Sequence, residues 1–265
     1  MQDILDWIGV VGLSRIVWAT DLDETLVDSH GSRGDGTGAN DDLVQLCRDM
    51  ERALNGRFYI VTGRDMESLD RILPGLNPKA STEYHSMLRH KDGTVDLGPR
   101  PHWHLIDDAL DAIAARFDGV LVRKKPFMRT VKFGASPALA ADKGLLATVR
   151  DEVEALMQHV SSAQGVHLVN IDGGRVFDLA PGGRDKADGI RWVVEHAAAD
   201  YKGDGDLVPV YCGDSPGDLP GAKVVQGMGG KFISVGPDPR VTAVADFTLP
   251  DTASCRALMR ALMKV

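Results

Sequence analysis

Two aspartates, Asp21 and Asp23, lie directly after a short apolar segment at 16–20 that is rich in β-branched and aromatic residues. Such a segment predicts a buried strand. In an open α/β sheet, ligands bind outside the carboxyl ends of the strands, so we expect both carboxylates to face a binding crevice. Like charges this close repel, and a bound divalent cation would relieve the repulsion. Taken alone, an ordinary acidic turn explains the pair equally well.

A second polar segment, Thr62, Gly63 and Arg64, follows the apolar run 58–61 and precedes a helical pattern. A hydroxyl and free backbone N–H groups at a helix start suit a phosphate oxygen, helped by the positive end of the helix dipole. An N-capped helix start explains the same residues without a ligand. Thr62 is thus a candidate catalytic residue, and Gly63 and Arg64 are candidate substrate-binding residues, although Arg64 also fits a structural role.

Three further charged residues occur late in the chain. Asp214 and Asp218 follow the apolar run 207–211, and Lys186 opens a predicted helix. Alone, the lysine would be an exposed helix-start residue and Asp218 a turn residue. Asp214 and Asp218 therefore form a second acidic cluster at the carboxyl end of a predicted strand.

The pattern of predicted elements divides the chain into two domains. Alternating strands and helices over 1–97 and 176–265 predict an α/β domain with a Rossmann-like parallel sheet and helices on both faces. The segment 98–175 reads as two helices and three strands, which predicts an inserted α+β module that acts as a cap. The strand-like run at 175–179 is assigned to the larger domain.

Within the predicted cap, cationic residues cluster on two strands in an otherwise acidic chain. They are Arg123, Lys124, Lys125, Arg129 and Lys132. Exposed cations on a solvated strand face explain such a cluster as well as a cationic surface over an anionic substrate does. We assign Arg123, Lys125 and Lys132 to substrate binding.

Composition limits the partners of this chain. A formal net charge of −8 over 265 residues argues against a nucleic-acid or acidic-membrane partner. The cysteines, Cys47, Cys212 and Cys255, lack the spacing of a zinc site and predict reduced thiols. No segment matches a membrane span or a secretory signal. We therefore predict a cytoplasmic monomer or small homo-oligomer that binds a small molecule.

Four motifs in this order resemble those of the haloacid dehalogenase (HAD) superfamily of phosphotransferases. They read Asp-x-Asp-x-Thr at 21–25, Thr-Gly-Arg at 62–64, Lys186, and Gly-Asp-Ser-x-x-Asp at 213–218. The resemblance covers most of the chain, and the segment 98–175 falls where some members of the superfamily carry a cap. It implies a HAD core with an inserted α+β cap.

The resemblance also implies a role for each matched residue. Asp21 would be the nucleophile that forms an aspartyl phosphate, and Asp23 would act as the general acid and base. Thr62 would bind a phosphoryl oxygen and Lys186 would neutralise the charge. Mg²⁺ would be the cofactor, with Asp21, Asp23, Asp214 and Asp218 as its ligands. Because relatives that pump ions or remove halides lack the second acid, Asp23 indicates phosphomonoester chemistry.

Among members with a cap, the chain is most similar to the trehalose-phosphate phosphatases. Residues 82–85, Thr-Glu-Tyr-His, lie where that family has Glu-His-Gly, which adds Glu83 to the predicted substrate-binding set. Residues 122–127, Val-Arg-Lys-Lys-Pro-Phe, resemble its Val-Glu-x-Lys-x-Phe strand, with Lys125 on the lysine. This resemblance implies a Mg²⁺-dependent phosphatase of a phosphorylated sugar or another small phosphomonoester.

Departures from that pattern leave other activities open. Lys132-Phe133-Gly134 stands where the family has His-Tyr-Arg, and Glu24 stands where a glycine is usual. The fourth motif, Gly-Asp-Ser-Pro-Gly-Asp, is closer to those of sucrose-phosphate or mannosyl-3-phosphoglycerate phosphatases. A phosphomutase and a non-catalytic phosphosugar-binding protein are the remaining alternatives.

Overall fold

A computed structural model describes residues 1–28, 41–100, 102–133, 137–164, 168–172, 176–181 and 184–264. The chain forms two compact units, here called unit 1 (Met1–Leu97 with Asp185–Val265) and unit 2 (Gly98–Arg184). The segment 29–40, whose Gly, Ser, Asp and Asn content predicts a loop, lies outside the described residues.

The strands are numbered in chain order. They are β1 Ile16–Thr20, β2 Phe58–Val61, β3 Ala80–Thr82, β4 Met87–Arg89, β5 Val95–Leu97, β6 Leu121–Lys124, β7 Arg129–Lys132, β8 Leu168–Asp172, β9 Val176–Pro181, β10 Val208–Gly213, β11 Lys231–Val235 and β12 Phe247–Leu249.

The α-helices are numbered in the same way. They are α1 Gln2–Val11, α2 Asp41–Ala53, α3 Met66–Ile72, α4 Asp107–Ala115, α5 Pro137–Ala141, α6 Lys143–Gln164, α7 Lys186–Asp200, α8 Leu219–Gly227, α9 Pro239–Thr242 and α10 Thr252–Leu262.

Unit 1 is built on an eight-stranded sheet, counted over the described residues, in the order β12-β11-β10-β1-β2-β3-β4-β5. The strands from β12 to β3 are parallel, and β4 and β5 extend the sheet antiparallel. This edge hairpin is absent from the sequence prediction. The predicted α/β fold with a parallel sheet is confirmed.

Side chains of the central strand β1 alternate between two hydrophobic clusters. Ile16 and Trp18 pack in one cluster with residues of α1, α2, α3 and α10. Val17 and Ala19 pack in the other with residues of α7 and α8. Because successive side chains of a strand point to opposite faces, helices cover both faces of the sheet, and the loops at the strand ends are left to form the site.

Unit 2 is an α+β module with a four-stranded antiparallel sheet, within the part of it that is described, in the order β6-β7-β9-β8. Val131 of β7 and Phe177 and Leu179 of β9 share a hydrophobic cluster with apolar residues of α4 and α6. The period-2 pattern of these strands therefore buries one face of the sheet against the two helices.

The structure corrects the predicted domain boundary. The sequence pattern predicts that the inserted module ends at 175 and that the strand-like run at 175–179 belongs to the larger domain. Strand β9 instead pairs with β7 and β8, and unit 2 runs to Arg184. The alternation of apolar residues indicates which face of a strand is buried but not which sheet the strand joins. The sequence pattern could therefore not locate this domain boundary.

No helix among the residues that the structure describes is long and apolar enough to cross a membrane.

Candidate active site

The predicted catalytic residues of unit 1 lie at the carboxyl ends of neighbouring parallel strands. Asp21 follows β1, and its N–H donates to the carbonyl oxygen of Cys212 in β10 at 2.9 Å. Thr62 follows β2, and its N–H donates to the carbonyl oxygen of Ser81 in β3 at 2.9 Å. Since β10, β1, β2 and β3 are adjacent in the sheet, their loops meet at one edge.

Lys186 joins two of the predicted carboxylates. Its Nζ lies 2.9 Å from Asp21 Oδ2 and 2.6 Å from Asp218 Oδ1, and the lysine is only 3% exposed. Asp185 caps the helix that Lys186 begins by accepting a hydrogen bond from the N–H of Ala187 at 2.7 Å. Although burial lowers the pKa of Lys186, the two carboxylates raise it well above its ordinary value. The ammonium group is therefore held charged between them.

Asp218 is held by several donors in the turn after β10. It accepts hydrogen bonds from the N–H groups of Asp214 and Ser215, at 3.1 and 3.0 Å, and from the Tyr211 hydroxyl. A Cβ on Gly213 would lie 2.5 Å from the Asp218 carboxyl carbon, so this turn requires glycine. Burial opposes ionisation, but Lys186 and these hydrogen bonds lower the pKa of Asp218.

The carboxylates of Asp21, Asp214 and Asp218 converge. One oxygen from each lies within 4.8 Å of the others. Mg²⁺ prefers oxygen ligands at about 2.0–2.1 Å, so ligand oxygens across one ion lie about 4.2 Å apart, and small side-chain adjustments would bring these three into range. Carboxylate oxygens at this separation fit such an ion. Thr25, the threonine of the first motif, donates its hydroxyl to Asp214 Oδ1 at 3.3 Å.

Crowding of these carboxylates disfavours their charged forms. Burial, followed by the charges of Asp218 and Asp21, raises the pKa of Asp214 to about 9. Burial also raises the pKa of Asp21 to about 7, a shift that Lys186 opposes. A cation at this position would favour ionisation of both groups, because an opposite charge stabilises a carboxylate.

Asp23 is bound by Arg64. The guanidinium Nε lies 2.6 Å from Asp23 Oδ2, and Nη2 contacts Oδ1. Arg64, assigned to substrate binding, therefore holds a carboxylate in this structure. The Asp23 carboxylate is not among the three that converge, so its predicted role as a metal ligand finds no support from its side chain.

A left-handed turn packs against the loop of Thr62 and Gly63. A Cβ on Gly63 would lie 3.1 Å from the Tyr84 ring, which explains a small residue there. The Thr62 hydroxyl accepts a hydrogen bond from the N–H of Arg64 at 3.2 Å. Tyr84 also contributes to the raised pKa of Lys186. The aromatic ring thus borders the predicted catalytic residues.

The turn itself has an unusual backbone. Glu83, Tyr84 and His85 have φ values of 46°, 51° and 66°, all in the left-handed region. This conformation costs roughly 1–2 kcal/mol per non-glycine residue and is found mainly where the surroundings enforce it. The N–H of Glu83 donates to the carbonyl oxygen of Arg64 at 3.0 Å, so the turn is tied to the loop beside it. Glu83, predicted to bind substrate, is fully buried here.

The cationic residues assigned to substrate binding lie on or directly after β6 and β7 of unit 2. Lys125 is half-buried, with its Nζ 3.9 Å from Asp178 Oδ1. Arg123 and Lys132 are half-buried. The solvated-face interpretation is wrong for Lys125, whose side chain is only 8% exposed. The role of all three residues in substrate binding stays a prediction.

Two tyrosines at the site are absent from the sequence prediction. Tyr211 donates to Asp218 from within β10, and Tyr84 packs on Gly63. A buried tyrosine usually finds a hydrogen-bond partner, so the position of Tyr211 in an apolar strand three residues before Asp214 was a weak signal. No sequence signal indicates the left-handed turn that places Tyr84.

Solved structures of known proteins share this fold. The chain superposes on the C-terminal domain of trehalose-6-phosphate phosphatase from C. albicans with a TM-score of 0.79 and 15% identity, covering 100% of this chain and 97% of that one. A trehalose-6-phosphate phosphatase related protein gives 0.69 and 18%, covering 94% and 97%. A haloacid dehalogenase-like hydrolase from Bacteroides thetaiotaomicron gives 0.60 and 12%, covering 94% and 99%.

No family model and no curated protein matches the sequence. At these identities the structural likeness establishes the fold, and it confirms the predicted HAD-like architecture with an inserted α+β module.

Proposed function

We propose that this chain is a Mg²⁺-dependent phosphomonoesterase that acts on a phosphorylated sugar through an aspartyl phosphate. The observation that carries this proposal is the position of Lys186 between Asp21 and Asp218 at 2.9 and 2.6 Å. A carboxylate that attacks a phosphate dianion meets charge repulsion, and a fixed ammonium group beside the attacking oxygen offsets it. The HAD-like fold supports the same reaction.

In the first half-reaction, an Asp21 oxygen attacks the phosphorus while the bond from phosphorus to the sugar oxygen breaks. Asp23 donates its proton to that leaving oxygen, so a neutral alcohol departs. Lys186 orients the nucleophile, and Asp218 fixes Lys186 from the other side. The Thr62 hydroxyl lies at the end of β2, where it can bind a phosphoryl oxygen.

In the second half-reaction, water attacks the phosphorus of the aspartyl phosphate. Asp23, now ionised, takes the proton from this water, and the bond from Asp21 to phosphorus breaks. Inorganic phosphate leaves and the Asp21 carboxylate is restored, while Asp23 has regained its proton. Each group therefore returns to its starting state after one turnover.

Asp21, Asp214 and Asp218 would hold Mg²⁺, which when bound would neutralise phosphate charge and favour the ionised form of Asp21.

The substrate class is proposed from the resemblance of the sequence to trehalose-phosphate phosphatases and from solved structures that carry that name. The cationic residues Arg123, Lys125 and Lys132 of unit 2 would bind the phosphorylated sugar. A phosphorylated disaccharide such as trehalose 6-phosphate is the first candidate.

The test is phosphate release from trehalose 6-phosphate, sucrose 6-phosphate, mannosyl-3-phosphoglycerate and glucose phosphates, with Mg²⁺ and with EDTA. We expect Mg²⁺-dependent release with a clear preference for one phosphorylated sugar. Transfer of phosphate to a second position without net release would contradict hydrolysis and identify a mutase. Tight binding of a phosphosugar with neither reaction would contradict an enzymatic function.

A further inference from the structure

Unit 1 contains a cavity of about 670 Å³ at the edge of the sheet opposite the proposed active site. Arg57 and Lys79, which line it, directly precede β2 and β3. Thr62 directly follows β2 at the other end. The whole length of this strand, on the order of 13 Å, therefore separates the cavity from the predicted phosphate-binding hydroxyl.

The charged residues that line this cavity are mostly cationic. They are Arg57, Lys79, Lys91 and Lys202, with Asp200 as the anionic member. Such a concentration stands out in a chain with a formal net charge of −8. Lys79 forms an ion pair with Glu51, whereas the other three cations form no ion pair with any residue in the described parts of the chain.

Arg57 is the buried cation of this cavity that has no acidic partner among the described residues. It is 8% exposed, and its Nε donates to the carbonyl oxygen of Ile16 at 3.1 Å. Its guanidinium carbon lies 5.6 Å from the centre of the Tyr201 ring. No carboxylate of the described residues contacts it, although a buried charge without a counter-charge is costly.

We propose that this cavity binds a small molecule through a phosphate group held by Arg57, with Lys91 and Lys202 adding positive charge. A guanidinium matches two phosphate oxygens at once, which makes arginine the common residue for such recognition. The volume lies in the range of small-molecule sites and exceeds what phosphate alone needs. Tyr201, which also lines the cavity, offers apolar surface to the body of the ligand.

This site does not depend on the proposed phosphatase activity. Its residues are separate from the catalytic set, and binding needs neither Mg²⁺ nor turnover. In EDTA, phosphate has no metal ion to bind beside Asp21, Asp214 and Asp218. Binding measured without metal therefore reports mainly on the cavity.

The test is isothermal titration of the full chain in EDTA with inorganic phosphate and, separately, with glucose 6-phosphate. We expect saturable binding, weakened about tenfold or more in Arg57→Gln because a charge-assisted hydrogen bond is lost. Arg240→Gln is the matched control, because this exposed arginine pairs with Asp238 outside the cavity, and its binding should equal the wild type. Tighter binding of glucose 6-phosphate would identify a phosphorylated metabolite, and equal binding would identify phosphate itself.

A second variant keeps the test decisive if Arg57→Gln does not fold. Lys91 and Lys202 are exposed, so Lys91→Gln combined with Lys202→Gln removes two cavity charges without disturbing the core. We expect this double variant to weaken binding several-fold and to reduce its salt dependence. Absence of saturable wild-type binding, or wild-type affinity in the folded variants, would overturn the proposal.

Discussion

Arg64 and Asp23 form a two-point ion pair in unit 1, with Arg64 Nε 2.6 Å from Asp23 Oδ2 and Nη2 on the other oxygen. Both carboxylate oxygens are thus engaged by one guanidinium. A general acid must point its proton at the leaving oxygen, so this pair has to open, at least at one oxygen, when substrate binds. In the proposed mechanism, Arg64 would position the Asp23 carboxylate before substrate binds.

The first prediction is a coupling between these two residues. Arg64→Gln should lower kcat/KM for a sugar phosphate by roughly tenfold or more, because a charge-assisted bidentate contact is lost. The same change made in an Asp23→Asn background should have a much smaller effect, since Arg64 acts through Asp23. Steady-state kinetics of the four proteins measure the coupling. Additive losses would show that Arg64 contacts substrate independently.

The second prediction concerns the nucleophile. Asp21→Asn should abolish turnover of every phosphomonoester and leave the fold intact, because an amide cannot form the aspartyl phosphate. Asp118→Asn, the same change at an exposed position in unit 2, is the control and should keep full activity. Circular dichroism and phosphate release measure both effects. Substantial activity in Asp21→Asn would refute the nucleophile assignment.

The third prediction concerns Lys186, which is buried between Asp21 and Asp218. Lys186→Met should destabilise the protein by about 3–5 kcal/mol, because it leaves two buried carboxylates without their counter-charge. Urea unfolding measures the change, and activity should be lost as well. Lys223→Met on the exposed surface of α8 is the control, and it should alter neither property. Stability equal to the wild type in Lys186→Met would show that the carboxylates do not depend on the ammonium group.

The fourth prediction is a pH dependence of stability without metal. The pKa of Asp21 is raised to about 7 and that of Asp214 to about 9. Above about pH 4 these two groups are ionised in the unfolded chain but still protonated in the folded chain. The free energy of unfolding therefore falls as pH rises. In EDTA, Tm should fall between about pH 5.5 and 8.5, and Mg²⁺ should reduce the fall.

Asp214→Asn isolates this contribution from that of other titrating groups. The variant should show a weaker pH dependence in EDTA and a higher Tm than the wild type at about pH 8.5, because folding no longer requires proton uptake at position 214. Mg²⁺ should stabilise it less. An unchanged slope in this variant would mean that the pH dependence arises elsewhere.

The fifth prediction separates two neighbouring lysines of unit 2. If Lys125 binds the sugar phosphate, Lys125→Ala should raise KM for that substrate. The expected loss is roughly 1.5–3 kcal/mol of binding free energy. Hydrolysis of p-nitrophenyl phosphate, which has no sugar, should change little. Lys124→Ala is the control, because Lys124 is exposed and pairs with Asp111 at 2.7 Å. Equal kinetics in both variants would remove Lys125 from the binding site.

The sequence by itself determined which polar side chains follow the buried strands of the sheet. Apolar runs of four or five residues ended in Asp21, in Thr62 and in Gly213-Asp214, and parallel strands bring such ends to one edge of a sheet. The helix that begins at Lys186 was predictable as well, because a short polar segment precedes its apolar face. Local patterns suffice here because each feature depends on neighbours in the chain.

Only the tertiary structure decided which charges pair. The ion pairs join residues that are far apart in sequence: Arg64 with Asp23, and Lys186 with both Asp21 and Asp218. Each of these cations had several possible acidic partners. The same holds for β9, whose pattern fits either sheet, and for Tyr84, which reaches Gly63 through a left-handed turn that its residue types do not favour. Burial and pairing energies depend on distance and surroundings, and these exist only once the chain has folded.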